Sequence, residues 1–128
     1  MSDLEIVKEF LAESYENLDR LARSLMELEQ HPSDSEIMGE IARTIHTMKG
    51  TSGFLGFAKL EALTQAGENL FAGLRDSHLC LNPERTAALL DMVDAARQML
   101  ATIGANGSDG NKNYGELIGR LKNLQECR

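Results

Sequence analysis

His46, Lys49 and Gly50 stand in the stretch Arg43-Thr44-Ile45-His46-Thr47-Met48-Lys49-Gly50-Thr51-Ser52-Gly53-Phe54-Leu55-Gly56-Phe57. A neutral imidazole becomes a nucleophile at one ring nitrogen when an acceptor holds the proton on the other, and phosphorus is an electrophile it can attack. Lys49, one helical turn after His46, falls on the same face and could give an incoming phosphoryl oxygen a charge-assisted contact of about 1.5 to 3 kcal/mol. Gly50 leaves a hole beside the ring where an acceptor's own site can press in. The proton acceptor must come from elsewhere in the chain, and Glu68 is the candidate.

A helix from Glu36 to Ser52 would bury Ile37, Ile41, Ile45, Met48 and Ser52 as one stripe. His46 lies one residue off that stripe. Its own face carries Gly39, Ala42, Arg43, Lys49, Gly50 and Gly53, which is stripped of bulk except for basic groups. Glycine inside a helix costs roughly 0.5 to 1 kcal/mol relative to alanine, so this run marks a face that something approaches closely. Ala42, Arg43, Gly50 and Gly53 are therefore the candidate partner-binding residues. The Gly53 to Phe57 segment reverses the chain, and a third helix then returns Glu68 to within about one turn of the height of His46.

The remaining elements form the frame. Ser2-Asp3-Leu4-Glu5 has the form of a capping box, followed by a leucine-rich seam at positions 4, 7, 11, 14, 18, 21, 25 and 28 that only Ser14 interrupts. His31-Pro32 stops that helix, and Ser33-Asp34-Ser35-Glu36 reads as a second capping box. The third helix, predicted from Ala58 to Ser77, places Leu60, Leu63, Gly67, Leu70, Phe71 and Leu74 on one side. Asn82-Pro83 opens a fourth helix that Gly104 is expected to stop. Residues 105–113 read as a flexible Gly/Asn connector, and a last short helix from Tyr114 to about Glu126 is left either packed on the side or part of a linker.

The expected architecture is all-α: an antiparallel up-down-up-down four-helix bundle over residues 1–104, the connector 105–113, and a fifth short C-terminal helix within 114–128. If residues 1–104 hold the site alone, a chain ended at Ala105 keeps its chemistry. The methionines at 26, 38, 48, 92 and 99 read as core fillers. His31 and His78 read as exposed turn residues.

Composition excludes several functions. With 20 acidic against 13 basic residues, the net charge is -7, and no basic stripe is available for nucleic acid. No apolar run has the length of a signal peptide or a bilayer span, and Cys80 and Cys127 lack any CxxC or CxxH pairing, so a cytoplasmic chain without a disulfide framework is expected. No Glu-x-x-His pair supports a metal bundle, since Arg43 stands three residues before His46. A GxxxxGK[ST] loop, a kinase-type glycine loop, a GxSxG elbow and HExxH are all missing, which leaves the chain able to accept a phosphoryl group but without visible means of binding ATP.

His46-Thr47-Met48-Lys49-Gly50, with Gly53 and Gly56-Phe57, resembles the H-x-x-K-G signature of histidine-containing phosphotransfer (HPt) domains, most of all the N-terminal phosphotransfer domain of CheA-type chemotaxis histidine kinases. Glu68-Asn69-Leu70 stands where that family has the glutamate that hydrogen-bonds the phosphorylated histidine, and Gln65 where some relatives carry a second histidine. The resemblance implies two-component signalling: His46 is phosphorylated by a histidine kinase ATP-binding domain and hands the group to an aspartate of a CheY-like response-regulator receiver domain. It also implies that ATP and Mg²⁺ are bound by those partner domains, with no cofactor in this chain, and that the chain is either the phospho-accepting domain of a larger histidine protein kinase or a free-standing relay protein. The competing reading is a non-catalytic helical interaction domain in which His46 is never phosphorylated.

Overall fold

The structure, a computed structural model, describes residues 2–76 and 79–126. Among them are five α-helices and no strand: α1 Asp3–Gln30, α2 Ser35–Phe54, α3 Ala58–Arg75, α4 Pro83–Asn106 and α5 Gly115–Asn123. His78 and Cys127, and the predicted end of the third helix at Ser77, lie outside the described residues.

Each start has a chemical cause. The Ser2 hydroxyl accepts from the Glu5 amide at 3.2 Å and donates to the Glu5 carboxylate at 3.1 Å, closing the first capping box. At α2 the cap is Asp34 rather than Ser33, because Oδ1 of Asp34 accepts from both the Glu36 and Ile37 amides, at 3.0 and 3.1 Å. Asn82 caps α4 through the Arg85 amide at 2.7 Å.

The four long helices close a ring in which α1 meets α2 and α4, and α3 meets α2 and α4. The seam of α1 is half-buried at Val7 and Leu11 and buried at Ser14, Leu18, Leu21, Leu25 and Leu28, with Phe10 buried beside it. Leu4 is exposed, so the first turn of α1 lies outside the core. The predicted face of α3 is buried throughout, with Gly67 letting α3 approach α4 so closely that a Cβ there would run into the Met92 thioether. Met48, Met92 and Met99 fill the core as expected. Met26 does not; it is 58% exposed, on the α1 surface turned away from the buried leucines.

The C-terminal part departs most from expectation. Gly104 does not stop α4: the helix runs two residues further to Asn106 and ends on Gly107, whose φ of 77° is left-handed and whose amide donates to Ile103 O at 2.8 Å. Gly104 instead stands in ordinary contact range of Leu11, with 3.6 Å from its would-be Cβ to a Leu11 methyl. The 105–113 segment is pinned as well. α3 has no side-chain cap of its own, and Oδ2 of Asp109 takes that place by accepting from the Lys59 and Leu60 amides at 2.8 and 3.3 Å. Lys59 Nζ in turn donates to Lys112 O at 3.2 Å.

α5 packs on α3 and α4, with Leu121 fully buried. Its end is held by Arg85, a buried guanidinium that donates to Cys80 O, Leu124 O and Glu126 O at 2.8 to 3.0 Å. Two of these carbonyls follow the C-terminal end of α5, where the backbone dipole is negative, and with the Cys80 carbonyl from the α3–α4 loop they offset the cost of burying that charge.

Candidate functional site

The site depends on how α2 turns into α3. Gly56 adopts φ 82°, the Phe57 amide donates to Ser52 O at 2.9 Å and the Gly56 amide to Gly53 O at 3.1 Å, which caps the end of α2 through a left-handed glycine. Phe57 is then buried against Phe10, with ring centroids 5.4 Å apart. Phe57 lies midway in sequence between His46 and Glu68. Two antiparallel helices leaving one tight turn must therefore bring those two positions to the same height.

They meet there. Glu68 Oε2 lies 2.6 Å from His46 Nδ1, and Glu68 Oε1 lies 2.6 Å from Lys49 Nζ. The His46 side chain is 70% exposed, whereas Lys49 and Glu68 are only 23% and 22% exposed. Burial pushes the Glu68 carboxyl up, but its hydrogen bonds to Lys49 and His46 and their charges outweigh this and hold it below the ordinary glutamate range. An ionised Glu68 can only accept, so His46 Nδ1 carries a proton, and in the neutral form of the ring Nε2 is the nitrogen with the free lone pair. No described residue hydrogen-bonds Nε2. The arrangement is an exposed nucleophilic nitrogen whose tautomer is set from behind.

Lys49 differs from expectation in its partner. Its ammonium is engaged by Glu68 rather than held out beside Nε2, so one carboxylate serves two donors. The partner-face candidates divide. Gly50 is open, with nothing within 4 Å of a Cβ built there, Arg43 is exposed and Ala42 half-buried. Gly53 is half-buried, and a Cβ on it would displace the carboxylate at the far end of the exposed Glu61 side chain. Gln65 takes no part, since its amide donates to Asn69 Oδ1 at 2.9 Å along its own helix.

Arg75 escaped the sequence reading. It lies two turns past Glu68 on α3 and lines, with His46 and Arg43, a groove of about 420 Å³ between α2 and α3. The signal was available in its spacing, since Glu68, Ala72 and Arg75 recur at helical intervals. No group of three or more His, Cys, Asp or Glu side chains among the described residues is placed to hold a metal ion. No described helix is long and apolar enough to cross a membrane.

Known proteins share both the sequence and the shape. The chain is 35% identical over 127 residues to the sensor histidine kinase CheAY of Helicobacter pylori, covering 98% of this chain and 16% of that one. It is 33% identical over 103 residues to the chemotaxis protein CheA of Halobacterium salinarum, covering 80% of this chain and 15% of that one. It thus spans about a sixth of the length of these relatives. The solution structure of the histidine phosphotransfer domain of CheA superposes with a TM-score of 0.87 at 29% identity, over 96% of this chain and 93% of that one. The phosphorylated P1 domain of CheA3 from R. sphaeroides, solved in complex with CheY6, gives 0.87 at 27% identity over 97% and 98%. Residues 5–99 match the model of the Hpt domain. With the H-x-x-K-G helix, the glutamate behind its histidine and a match over most of its length, the chain belongs to the Hpt domain family.

Proposed function

We propose that this chain carries a phosphoryl group on His46 between the ATP-binding domain of a histidine kinase and an aspartate of a CheY-like receiver domain. The observation that carries the reading is the 2.6 Å contact of Glu68 Oε2 with His46 Nδ1, which leaves Nε2 as the free nucleophile on an exposed ring. In the first step the Nε2 lone pair attacks the γ-phosphorus of ATP, the bond to the bridging oxygen breaks, and ADP leaves with those electrons. The Nδ1 proton stays in place, and the ring that now carries positive charge faces the Glu68 carboxylate. In the second step a carboxylate oxygen of the receiver attacks phosphorus, the P–N bond breaks, and its electron pair returns to Nε2.

Lys49 and Glu68 act as positioning residues in this scheme. Lys49 pins one oxygen of Glu68 so that the other stays aimed at Nδ1. The ATP and Mg²⁺ are bound by the partner domains, as the missing nucleotide-binding motifs suggest, and an ATP-driven donor places the chain in the cytoplasm. The lengths of its relatives support its being the phospho-accepting part of a longer kinase chain.

The test loads the chain with ATP and the ATP-binding domain of a CheA-type kinase, then adds a CheY-type receiver. Label enters at a histidine as an acid-labile, base-stable adduct, leaves for the receiver, and does not enter His46→Gln. Labelling of that variant at the wild-type rate would contradict the reading, and a chain that never labels would favour a plain interaction domain.

A further inference from the structure

The groove beside His46 has two kinds of surface. Its floor is apolar, with the half-buried methyls of Ala42 and Ala72 lying over the fully buried Ile45 and Phe71, and its rim is cationic, with Arg43 from α2 and Arg75 from α3. In a chain of net charge -7 these arginines are a local reversal of sign. They are also the cations left over. Lys49, the other cation near the ring, is already bound to Glu68 at 2.6 Å, whereas Arg43 makes no ion pair or side-chain hydrogen bond among the described residues. Among the described residues Arg75 has one long ion contact, 3.7 Å, with its exposed neighbour Asp76.

Arg43 owes its placement to a missing side chain. Its guanidinium lies over Gly39, where even a Cβ would stand only 3.3 Å from Nη1. Arg43 also borders the neighbouring groove that Glu13, Glu16 and Glu40 line, yet none of these carboxylates is paired with it.

We propose that Arg43 and Arg75 are specificity-determining residues for transfer out of His46: they bracket the groove, bind the acidic face of a receiver-type acceptor, and let an apolar side chain of that partner seat over Ala42 and Ala72. The proposal rests on the phosphoryl-carrier reading above. The donor brings no such demand, because at loading the ring is uncharged. At unloading, the acceptor's carboxylate must approach a phosphoryl group that itself bears negative charge, and two anions meet at the site. Two guanidiniums at the rim, neither of them in a side-chain hydrogen bond among the described residues, reduce that repulsion and steer the encounter, through an effect that salt weakens.

The test uses the 128-residue chain and a CheY-type receiver, with transfer followed by rapid mixing at low and high salt. Loading of His46 from phosphoramidate and from the kinase is read in the same preparations. Relative to loading, transfer from the R43Q/R75Q pair should fall about five- to tenfold at low salt, through KM rather than through the rate at saturation, with a flatter salt dependence. R43K/R75K, which keeps the charge, should recover most of the loss. Unchanged transfer and salt dependence in R43Q/R75Q would overturn the proposal while leaving the carrier reading intact. An equal or larger loss in loading from the kinase would assign the arginines to the donor and overturn it too. If neither phosphoramidate nor the kinase loads the wild-type chain, the carrier reading and this proposal fail together.

Discussion

Glu68 holds two donors with one carboxylate, and a definite pH dependence follows. Its folded value lies below the ordinary one, so the stability it contributes is fully present above the unfolded glutamate value and is lost as pH falls through the folded value. Glu68→Gln removes this titration. Across that acid range the variant should therefore lose less stability than the parent, as urea midpoints at stepped pH would read; parallel losses would mean that Glu68 is not paired in solution. For chemistry the ordering differs. Glu68→Ala removes the acceptor at Nδ1 and should slow phosphorylation of His46 by one to two orders of magnitude, roughly what an orienting partner contributes to a histidine, while Glu68→Gln should be milder because its amide oxygen still accepts. Gly50→Leu should leave the unfolding midpoint close to the parent's, since nothing stands within 4 Å of its Cβ, yet slow transfer to a receiver by crowding the approach. Transfer at the parental rate would place docking elsewhere.

At the scale of elements, what was legible in the sequence is what short-range chemistry decides. Ser2 and Asn82 cap their helices as their sequence contexts suggest, the cap of α2 falls one residue from the expected Ser33 at Asp34, and the glycine turn at Gly56 fixes the register of α2 against α3, so Glu68 could be matched to His46 before any coordinates. The α3 cap was not legible. It comes from Asp109, far along the chain, and no local pattern distinguishes that aspartate from a solvated loop residue. The same holds for Arg85, whose carbonyl partners lie mostly beyond α5. Asp109→Ala should cost about 1 kcal/mol, as loss of an N-cap does, and Leu121→Ala about 2 to 4 kcal/mol, as truncation of a fully buried leucine does; denaturant unfolding measures both. Ending the chain at Ala105 removes both contributions together. That truncation should lower the unfolding midpoint by more than either substitution, and an unshifted midpoint would return α5 to the status of a linker.

For the whole molecule, composition and apolar periodicity predicted the all-α bundle, because the buried stripes of α1 to α4 are regular enough to name their faces. Periodicity gives faces but not pairings between charged side chains. The pairing of Lys49 with Glu68 was therefore not foreseen, and Arg75 was passed over although it borders the groove. With α5 and the connector tied to α3 and α4, the described chain should unfold as one unit. Tyr114, at the entrance to α5 with its hydroxyl on Gln98, offers a local probe. NMR signals of Tyr114 and the total helical signal should be lost with one midpoint, and an earlier loss at Tyr114 would show α5 undocking first.

The most direct measurement concerns which nitrogen carries the phosphate. With Glu68 holding Nδ1, phosphorus has only Nε2 to bond to. Load the uniformly ¹⁵N-labelled chain from phosphoramidate and correlate ³¹P and ring ¹H with the two ring nitrogens of His46. The account predicts a single adduct at Nε2 of His46, with the proton retained at Nδ1, and no adduct in His46→Gln. Phosphorus on Nδ1, or on His31 or His78 with His46 unmodified, would contradict it.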